Sequence, residues 1–269
     1  MKIKVAGHSG FCFGVKRAIN IAEATLRKRD KKEVIYSLGP IIHNPQVVKE
    51  LSEKGIRVIK RINRLKKGTV IVSSHGVSME TLDKIKKKGL KTVDATCPFV
   101  KNAHNIVKAL KKEGYNIVIL GDRKHPEVKA LLSLAGRGNK GKKIGVVSQT
   151  TQNKDNYING ISDILKRDFQ EVRIFNTICN DTAHRQTLTR RLLNECDVMI
   201  VVGGKNSANT RRLWQICKES GVDSYHIETG DELQKCYFKG KKCAGIVSGA
   251  STPDSMVKKV VKTICCYIK

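Results

Sequence analysis

The chain has 269 residues, of which 40% are hydrophobic, so it is long enough to bury a substantial core in one to three compact units. No run approaches the roughly 20 apolar residues that a membrane span needs, and residues 1–5 lack the apolar region of a signal peptide. The net charge of +28 favours acidic partners or anionic substrates. Because the basic residues are scattered and only 5% of residues are aromatic, dedicated nucleic-acid binding is not expected.

The cysteines indicate the compartment. There are nine, an odd number that includes the adjacent pair Cys265 and Cys266. This usage predicts a reducing compartment, by default the cytoplasm, and ligand or catalytic roles in place of a disulfide framework.

The first third of the chain contains three strand-like runs that end in polar turns. Residues 3–6 are followed by Cys12, residues 34–39 by His43, and residues 72–75 end in a histidine. A helical pattern begins after each turn. Such alternation is typical of βα units that build a parallel sheet.

The same order recurs twice further along the chain. The strand before His43 ends in Gly39. Equivalent glycines follow at intervals of 82 residues, at Gly121 and Gly203. Four residues beyond each glycine, a polar side chain stands at the expected start of a helix: His43, His125 and Ser207. Three cysteines are spaced by 85 and 82 residues, at Cys12, Cys97 and Cys179. A third set of strand-to-helix turns is found at residues 72–75, 147–150 and 247–251.

This repeat predicts an α/β protein of three small parallel-sheet domains, residues 1–91, 92–171 and 172–269. We expect a pseudo-threefold arrangement in which equivalent turns face a common centre, because ligands collect at the carboxyl ends of parallel strands. Each domain would contribute one cysteine turn.

Three thiolates from three domains form a soft, trigonal ligand set, and the helix that begins beside each one is expected to lower the thiol pKa. Structural zinc normally takes four ligands in local C-x-x-C pairs, which are missing here. A 4Fe-4S cluster fits better, because three cysteines leave one iron open to substrate. The other six cysteines are predicted to be small buried hydrophobes: Cys196, Cys217, Cys236, Cys243, Cys265 and Cys266.

The remaining polar turns predict an anion site, because helix N-termini present free N–H groups. Their side chains are donors that suit phosphate oxygens: His43, His75, His125, Ser207, Asn209 and Ser251. The expected anion is a diphosphate. Glu127 stands in the first turn of a helix, where a carboxylate is either a partner of the helix dipole or, near a cluster, a proton carrier.

Nine motifs in order along the chain resemble those of the 4-hydroxy-3-methylbut-2-enyl diphosphate reductases. They are Gly10-Phe-Cys12-Phe-Gly-Val, His43-Asn-Pro, Ser74-His75-Gly-Val, Asp94-Ala-Thr-Cys97-Pro, His125-Pro-Glu127-Val, Ser148-Gln-Thr150-Thr, Thr177-Ile-Cys179 with Arg185-Gln, Gly204-Lys-Asn-Ser207-Ala-Asn209 and Gly249-Ala-Ser251-Thr-Pro. The resemblance covers essentially the whole chain.

The resemblance implies an iron–sulfur oxidoreductase of the non-mevalonate pathway. Such an enzyme reductively removes the hydroxyl of its diphosphate substrate with two electrons and two protons, which yields isopentenyl and dimethylallyl diphosphates. By motif match, the cluster would be held by Cys12, Cys97 and Cys179. The diphosphate would be bound by His43, His75, His125, Ser207, Asn209 and Ser251. Thr150 would contact the substrate and, with Glu127, manage protons near its hydroxyl.

No G-x-G-x-x-G motif follows a strand, so electrons are expected from a separate acidic protein. The resemblance implies a ferredoxin or flavodoxin. The chain departs from the family at Ala208, where a serine is common, and this removes one hydroxyl donor to the diphosphate. Two alternatives remain open at this point: another three-cysteine iron–sulfur enzyme, such as one resembling quinolinate synthase, and a basic RNA-binding protein.

Overall fold

The computed structural model describes residues 1–138 and 141–268, and short strands alternate with helices throughout these ranges. Strands form where β-branched and aliphatic residues follow one another, as in Thr69–Val72 and Val198–Val202. The strands are β1 (Lys2–Val5), β2 (Ile35–Leu38), β3 (Ile56–Ile59), β4 (Thr69–Val72), β5 (Lys91–Asp94), β6 (Asn116–Leu120), β7 (Lys143–Ser148), β8 (Glu171–Phe175), β9 (Val198–Val202), β10 (Asp223–Ile227) and β11 (Cys243–Ser248).

Several helices begin at a polar residue whose side chain accepts a hydrogen bond from the first turn: Ser78, His125, Asn153 and Ser207. The helices are α1 (Phe13–Lys28), α2 (Pro45–Glu53), α3 (Met79–Lys87), α4 (Pro98–Lys112), α5 (Pro126–Ala135), α6 (Lys154–Leu165), α7 (Asn180–Leu193), α8 (Ala208–Glu219) and α9 (Asp254–Tyr267). Within the described ranges, none of the helices is both long and apolar enough to cross a bilayer.

The strands form three parallel sheets, with orders β3-β2-β4-β5, β6-β7-β8 and β1-β11-β9-β10. The predicted α/β class with three small parallel sheets is thereby confirmed. Strands β4, β9 and β11 are buried along their whole length. Uninterrupted burial is expected when helices cover both faces of a parallel sheet, and it explains why these strands read as continuous apolar runs.

The chain divides into two compact units. The first consists of residues Met1–Cys12, His43–Pro45 and Asn180–Lys269, and it contains the β1-β11-β9-β10 sheet. The second consists of residues Phe13–Ile42 and Gln46–Cys179, and it contains the other two sheets.

The sheet pairings differ from the predicted boundaries at the strand that precedes each repeat cysteine. Strand β5 pairs with β4, β8 pairs with β7, and β1 pairs with β11. The boundaries at 91/92 and 171/172 would separate β5 and β8 from the sheets to which they belong. The reason is that a strand pattern does not specify its pairing partner. The division into three domains stays a prediction.

Strand β9 shows how the sheet of the first unit is buried on both faces. Its alternate residues point to opposite sides. On one face, Ile200 packs in a cluster with Ile264 of α9. On the other face, Met199 packs with Leu213 of α8 and with residues of α7. Several buried polar residues of this unit lie instead on helices α7 and α8, among them Arg185 and Asn209.

Candidate functional site

The three repeat cysteines occupy turns with a common hydrogen bond. Each lies directly before a helix, namely α1, α4 or α7. Their main-chain N–H groups donate at 3.0 Å to the carbonyls of residues that lie two positions beyond the ends of β11, β4 and β7: Cys12 to Ala250, Cys97 to Ser74 and Cys179 to Thr150. The sequence repeat is therefore a structural repeat at these turns.

Among the described residues these cysteines form no disulfide, and their side chains are half-buried. Burial raises the pKa of Cys97, although the N–H groups of Phe99 and Val100 at the start of α4 act in the opposite direction. The expectation that the helix N-terminus lowers the thiol pKa is therefore wrong for this cysteine, because burial outweighs it.

The six other cysteines are also free. Cys196, Cys217 and Cys243 are buried, as predicted, but Cys236 and Cys266 are exposed and Cys265 is half-buried. The prediction of buried hydrophobes is wrong for the exposed pair, which lie in a short 3-10 turn and at the end of α9.

The second unit contains a buried carboxyl group. Glu127, in the first turn of α5, is only 1% exposed. Thr150 binds both of its oxygens, since the Thr150 N–H donates to Oε1 at 2.7 Å and the Thr150 hydroxyl donates to Oε2 at 2.9 Å. Burial raises the pKa of Glu127 to about 7, and the two bonds from Thr150 only partly offset this.

This pKa predicts that Glu127 makes stability depend on pH. Because the folded-state pKa lies above the ordinary value of 4.5, the folded protein binds more protons between about pH 4.5 and 7. The contribution of Glu127 to folding stability is complete below this pH window and is lost as the pH rises through it. As the pH rises from 4.5 to 8, we expect the free energy of unfolding of Glu127→Gln to increase by up to roughly 3 kcal/mol relative to that of wild type. Urea unfolding at both pH values measures this, and a pH-independent difference would contradict it.

Thr150 also connects the carboxyl group to a cysteine turn. Its carbonyl accepts the N–H of Cys179 at 3.0 Å, while its hydroxyl and N–H bind Glu127. Thr177 reinforces the connection, because its Oγ1 accepts the N–H of Ser148 at 2.9 Å. Thr150 thus links a protonatable group to the turn of Cys179.

Two predicted anion donors, His75 and His125, lie side by side in the second unit, with ring centroids 5.5 Å apart in an edge-to-face arrangement. His125 is buried and caps α5, since its Nδ1 accepts the N–H of Glu127 at 3.3 Å. With Nδ1 accepting, the ring carries its proton on Nε2. The capping role is therefore compatible with the predicted role as an anion donor, because the ring proton is on Nε2.

Three predicted anion donors of the first unit lie on turns. The Ser251 hydroxyl donates to the His43 carbonyl at 3.1 Å. Burial, and secondly the charge of Arg211, lowers the pKa of His43 to about 4, so its ring is neutral at pH 7. Ser207 caps α8 by accepting the N–H of Thr210 at 3.3 Å. Gly204 lies close to the turn of His43, since a Cβ at Gly204 would be 2.5 Å from the His43 carbonyl oxygen.

Asn209, the second residue of α8, is the least satisfied of the predicted site residues that the structure describes. It is 3% exposed, and neither its Oδ1 nor its Nδ2 has a hydrogen-bond partner in residues 1–138 and 141–268. A buried amide without partners costs free energy, on the order of 1–3 kcal/mol. A buried polar group of this kind is a candidate for ligand binding.

Sequence reasoning assigned no role to Arg185, which the structure places beneath the Cys12 turn. Its guanidinium is buried and donates to the Gly10 carbonyl at 2.8 Å, to the Ser248 carbonyl at 2.9 Å and to Asp181 at 2.8 Å. A buried ion pair with carbonyl partners orders the chain before Cys12. The Thr177-Ile-Cys179…Arg185-Gln motif was the signal for it.

The fold and these turns define an α/β protein with three cysteines in equivalent strand-to-helix turns and a buried, protonatable carboxyl group that Thr150 links to one of these turns. The model of the family described as "LytB protein" matches residues 3–265. The chain therefore belongs to the LytB protein family, and the resemblance found in the motifs is confirmed.

Named relatives match the chain over nearly its whole length. The 4-hydroxy-3-methylbut-2-enyl diphosphate reductases of Syntrophotalea carbinolica and Aquifex aeolicus are 46% and 43% identical and match 98% of this chain, and the matches cover 98% and 96% of their own lengths. A solved structure of (E)-4-hydroxy-3-methyl-but-2-enyl diphosphate reductase, 43% identical, aligns over 98% of this chain and 99% of its own with a TM-score of 0.70. The corresponding reductase of Plasmodium falciparum, 30% identical, aligns over 97% and 87% with a TM-score of 0.89.

Proposed function

We propose that this chain reduces 4-hydroxy-3-methylbut-2-enyl diphosphate to isopentenyl and dimethylallyl diphosphates. The reaction consumes two electrons and two protons and releases the substrate hydroxyl as water. The observation that carries the proposal is the buried Glu127 carboxyl, which is bonded to Thr150 while the Thr150 carbonyl holds the Cys179 turn. A reduction that consumes protons needs a proton donor, and a buried carboxyl group with a pKa of about 7 can serve as one. The names of the relatives agree with this reaction.

Cys12, Cys97 and Cys179 would hold a 4Fe-4S cluster. The donor set fits, because it consists of three thiols outside any disulfide and because each cysteine is fixed through its N–H by an equivalent 3.0 Å bond. When bound, the cluster supplies electrons and a Lewis-acidic iron for the substrate hydroxyl. The alternatives, a quinolinate synthase-like enzyme and an RNA-binding protein, are not favoured, since the family model spans residues 3–265.

Glu127 would store a proton that Thr150 delivers. When Glu127 is ionised, the Thr150 hydroxyl donates to Oε2, as in the structure. When Glu127 is protonated, its O–H donates to the Thr150 oxygen, and the Thr150 hydroxyl hydrogen is then free to point toward substrate, since a hydroxyl has one donor and two acceptor positions. With a pKa of about 7, both forms are populated near neutrality.

Six side chains would donate to the diphosphate: His43, His75, His125, Ser207, Asn209 and Ser251. Support comes from the His125 Nε2 proton, the neutral ring of His43 and the Asn209 amide, which has no hydrogen-bond partner among the described residues. Ala208 is the first residue of α8, where main-chain N–H groups still donate to an anion, so the missing hydroxyl is expected to weaken binding without abolishing it.

Asn209→Leu tests the role of the buried amide. Leucine has a similar shape but no polar atoms, so the free protein should become more stable by about 1–3 kcal/mol, while substrate binding should weaken by roughly 10-fold or more. Thermal unfolding and substrate titration measure the two effects.

Asn153→Leu is the matched control. Asn153 is also buried, but its Oδ1 caps α6 by accepting the Asp155 N–H at 2.7 Å. Its replacement should therefore destabilise the protein by about 1 kcal/mol and leave substrate affinity unchanged. If both variants were destabilised alike, Asn209 would be a structural residue.

The direct test of the function is anaerobic purification followed by iron and sulfide analysis and turnover with photoreduced 5-deazariboflavin, a small uncharged reductant. We expect about four irons per chain and formation of both diphosphate products. Protein that holds this iron but yields neither product would contradict the proposal. In the cell, a separate acidic carrier such as a ferredoxin or flavodoxin would supply the electrons.

A further inference from the structure

Helix α1 carries an unfilled groove along one of its faces. The groove has a volume of about 660 Å³, and its lining comes from successive turns of the helix: Phe13, Lys16, Arg17, Asn20, Ile21 and Ala24. We call this surface the α1 groove. It lies within the second unit.

The groove is apolar at its start. Phe13 is 67% exposed, the largest exposed fraction among the large hydrophobic side chains of the described residues. A single exposed aromatic residue is ordinary, but here it adjoins Ile21 and Ala24 in one continuous surface. Exposed apolar surface beside polar side chains is suited to a small contact with another protein.

The charge of the groove has one sign. Lys16 and Arg17 line it, no acidic residue does, and the first turn of α1 contains none. The acid within α1, Glu23, is paired with Lys54 at 2.6 Å. Lys16 is exposed, so its ammonium group faces solvent. The α1 groove therefore complements a partner with an acidic rim.

The groove also adjoins two of the proposed cluster ligands. Phe13 directly follows Cys12 in the chain. The Arg17 Nη1 donates to the Thr96 carbonyl at 3.1 Å, and Thr96 directly precedes Cys97. A protein that docks in the α1 groove thus reaches the surface beside the turn of Cys97.

We propose that the α1 groove is the docking surface for an acidic one-electron carrier protein. This inference rests on the proposed function, which needs two electrons per substrate and therefore two carrier encounters, each of which oxidises one reduced carrier. Encounters of redox proteins typically bury less than about 1,200 Å². A short helical face with an apolar start and two cations suits such a contact.

Charge reversal at Lys16 tests the proposal. In the iron-loaded enzyme, Lys16→Glu should lower kcat/KM for a reduced, acidic plant-type ferredoxin by about 3- to 10-fold at low salt, and the difference should shrink as salt screens the charges. Turnover with photoreduced 5-deazariboflavin should not change. The matched control is Lys28→Glu, at the exposed far end of the same helix, which alters the net charge equally and should affect ferredoxin turnover by less than about twofold.

Asn20→Lys provides the opposite sign, because it adds a cation to the α1 groove and should raise kcat/KM for the ferredoxin. If Lys16→Glu and Lys28→Glu lowered kcat/KM for the ferredoxin equally, only the overall charge of the protein would matter and the docking site would be refuted. The docking site would also be refuted if neither Lys16→Glu nor Asn20→Lys changed the kinetics with ferredoxin. Failure of the wild type to turn over with 5-deazariboflavin would instead count against the proposed function.

Discussion

Cys97→Ser is expected to abolish both cluster retention and turnover, and Cys12→Ser and Cys179→Ser should do the same. Serine has nearly the same shape but offers a hard, poorly ionised hydroxyl where iron–sulfur chemistry needs a thiolate. The fold should survive, because serine keeps the main-chain N–H that anchors residue 97 to the Ser74 carbonyl. Iron and sulfide content after anaerobic reconstitution measures the effect.

Two other cysteines are controls for this experiment. Cys217 is buried against the sheet of the first unit, and Cys236 is exposed. Cys217→Ser should cost stability, because it buries a hydroxyl in an apolar cluster, yet both serine variants should retain the iron of the wild type. Iron content in Cys97→Ser equal to that of wild type would refute the ligand assignment.

Glu127→Gln is expected to lower turnover by roughly 100-fold or more while substrate affinity changes little. The glutamine oxygen can still accept the Thr150 N–H, and the shape of the side chain is preserved, so only the transferable proton is lost. In wild type, turnover limited by proton delivery should fall as the pH rises through about 7, because Glu127 then loses its proton. The Gln variant should lack this limb of the pH profile.

The Thr150 hydroxyl supplies a matched pair for the same relay. Thr150→Ser keeps the hydroxyl and should remain active, whereas Thr150→Val removes it and should approach the Gln variant in rate. Iron content must equal that of wild type in every case, since cluster loss also lowers turnover. If the Gln variant turned over at the wild-type rate, Glu127 would be only a partner of the helix dipole of α5 and not a proton carrier.

Glu127 and Asn209 share an energetic feature. Each is buried in a state that costs folding free energy, one because its carboxyl is desolvated and the other because its amide has no partner among the described residues. Their replacements by Gln and Leu are expected to stabilise the protein and to impair it functionally. Opposite effects on stability and function are characteristic of residues retained for ligand chemistry.

The α/β class, the threefold repeat and the positions of its turns could all be predicted from the sequence. These features are local: an apolar run of four to six residues predicts a strand, and the polar residue or proline after it predicts a helix start. The glycines spaced by 82 residues and the three cysteines identified equivalent turns before any contact was known. For the same reason the motifs sufficed to recognise the family.

Tertiary structure alone decided the pairing of strands and the electrostatic state of the side chains. β1 pairs with β11, about 240 residues away, and no pattern in residues 2–5 specifies that partner, because pairing is a non-local choice among similar strands. Likewise, the raised pKa values of Glu127 and Cys97 and the lowered pKa of His43 follow from burial, which depends on all the elements that pack around a residue. Residue type and spacing show which groups are available for chemistry, and packing sets their protonation.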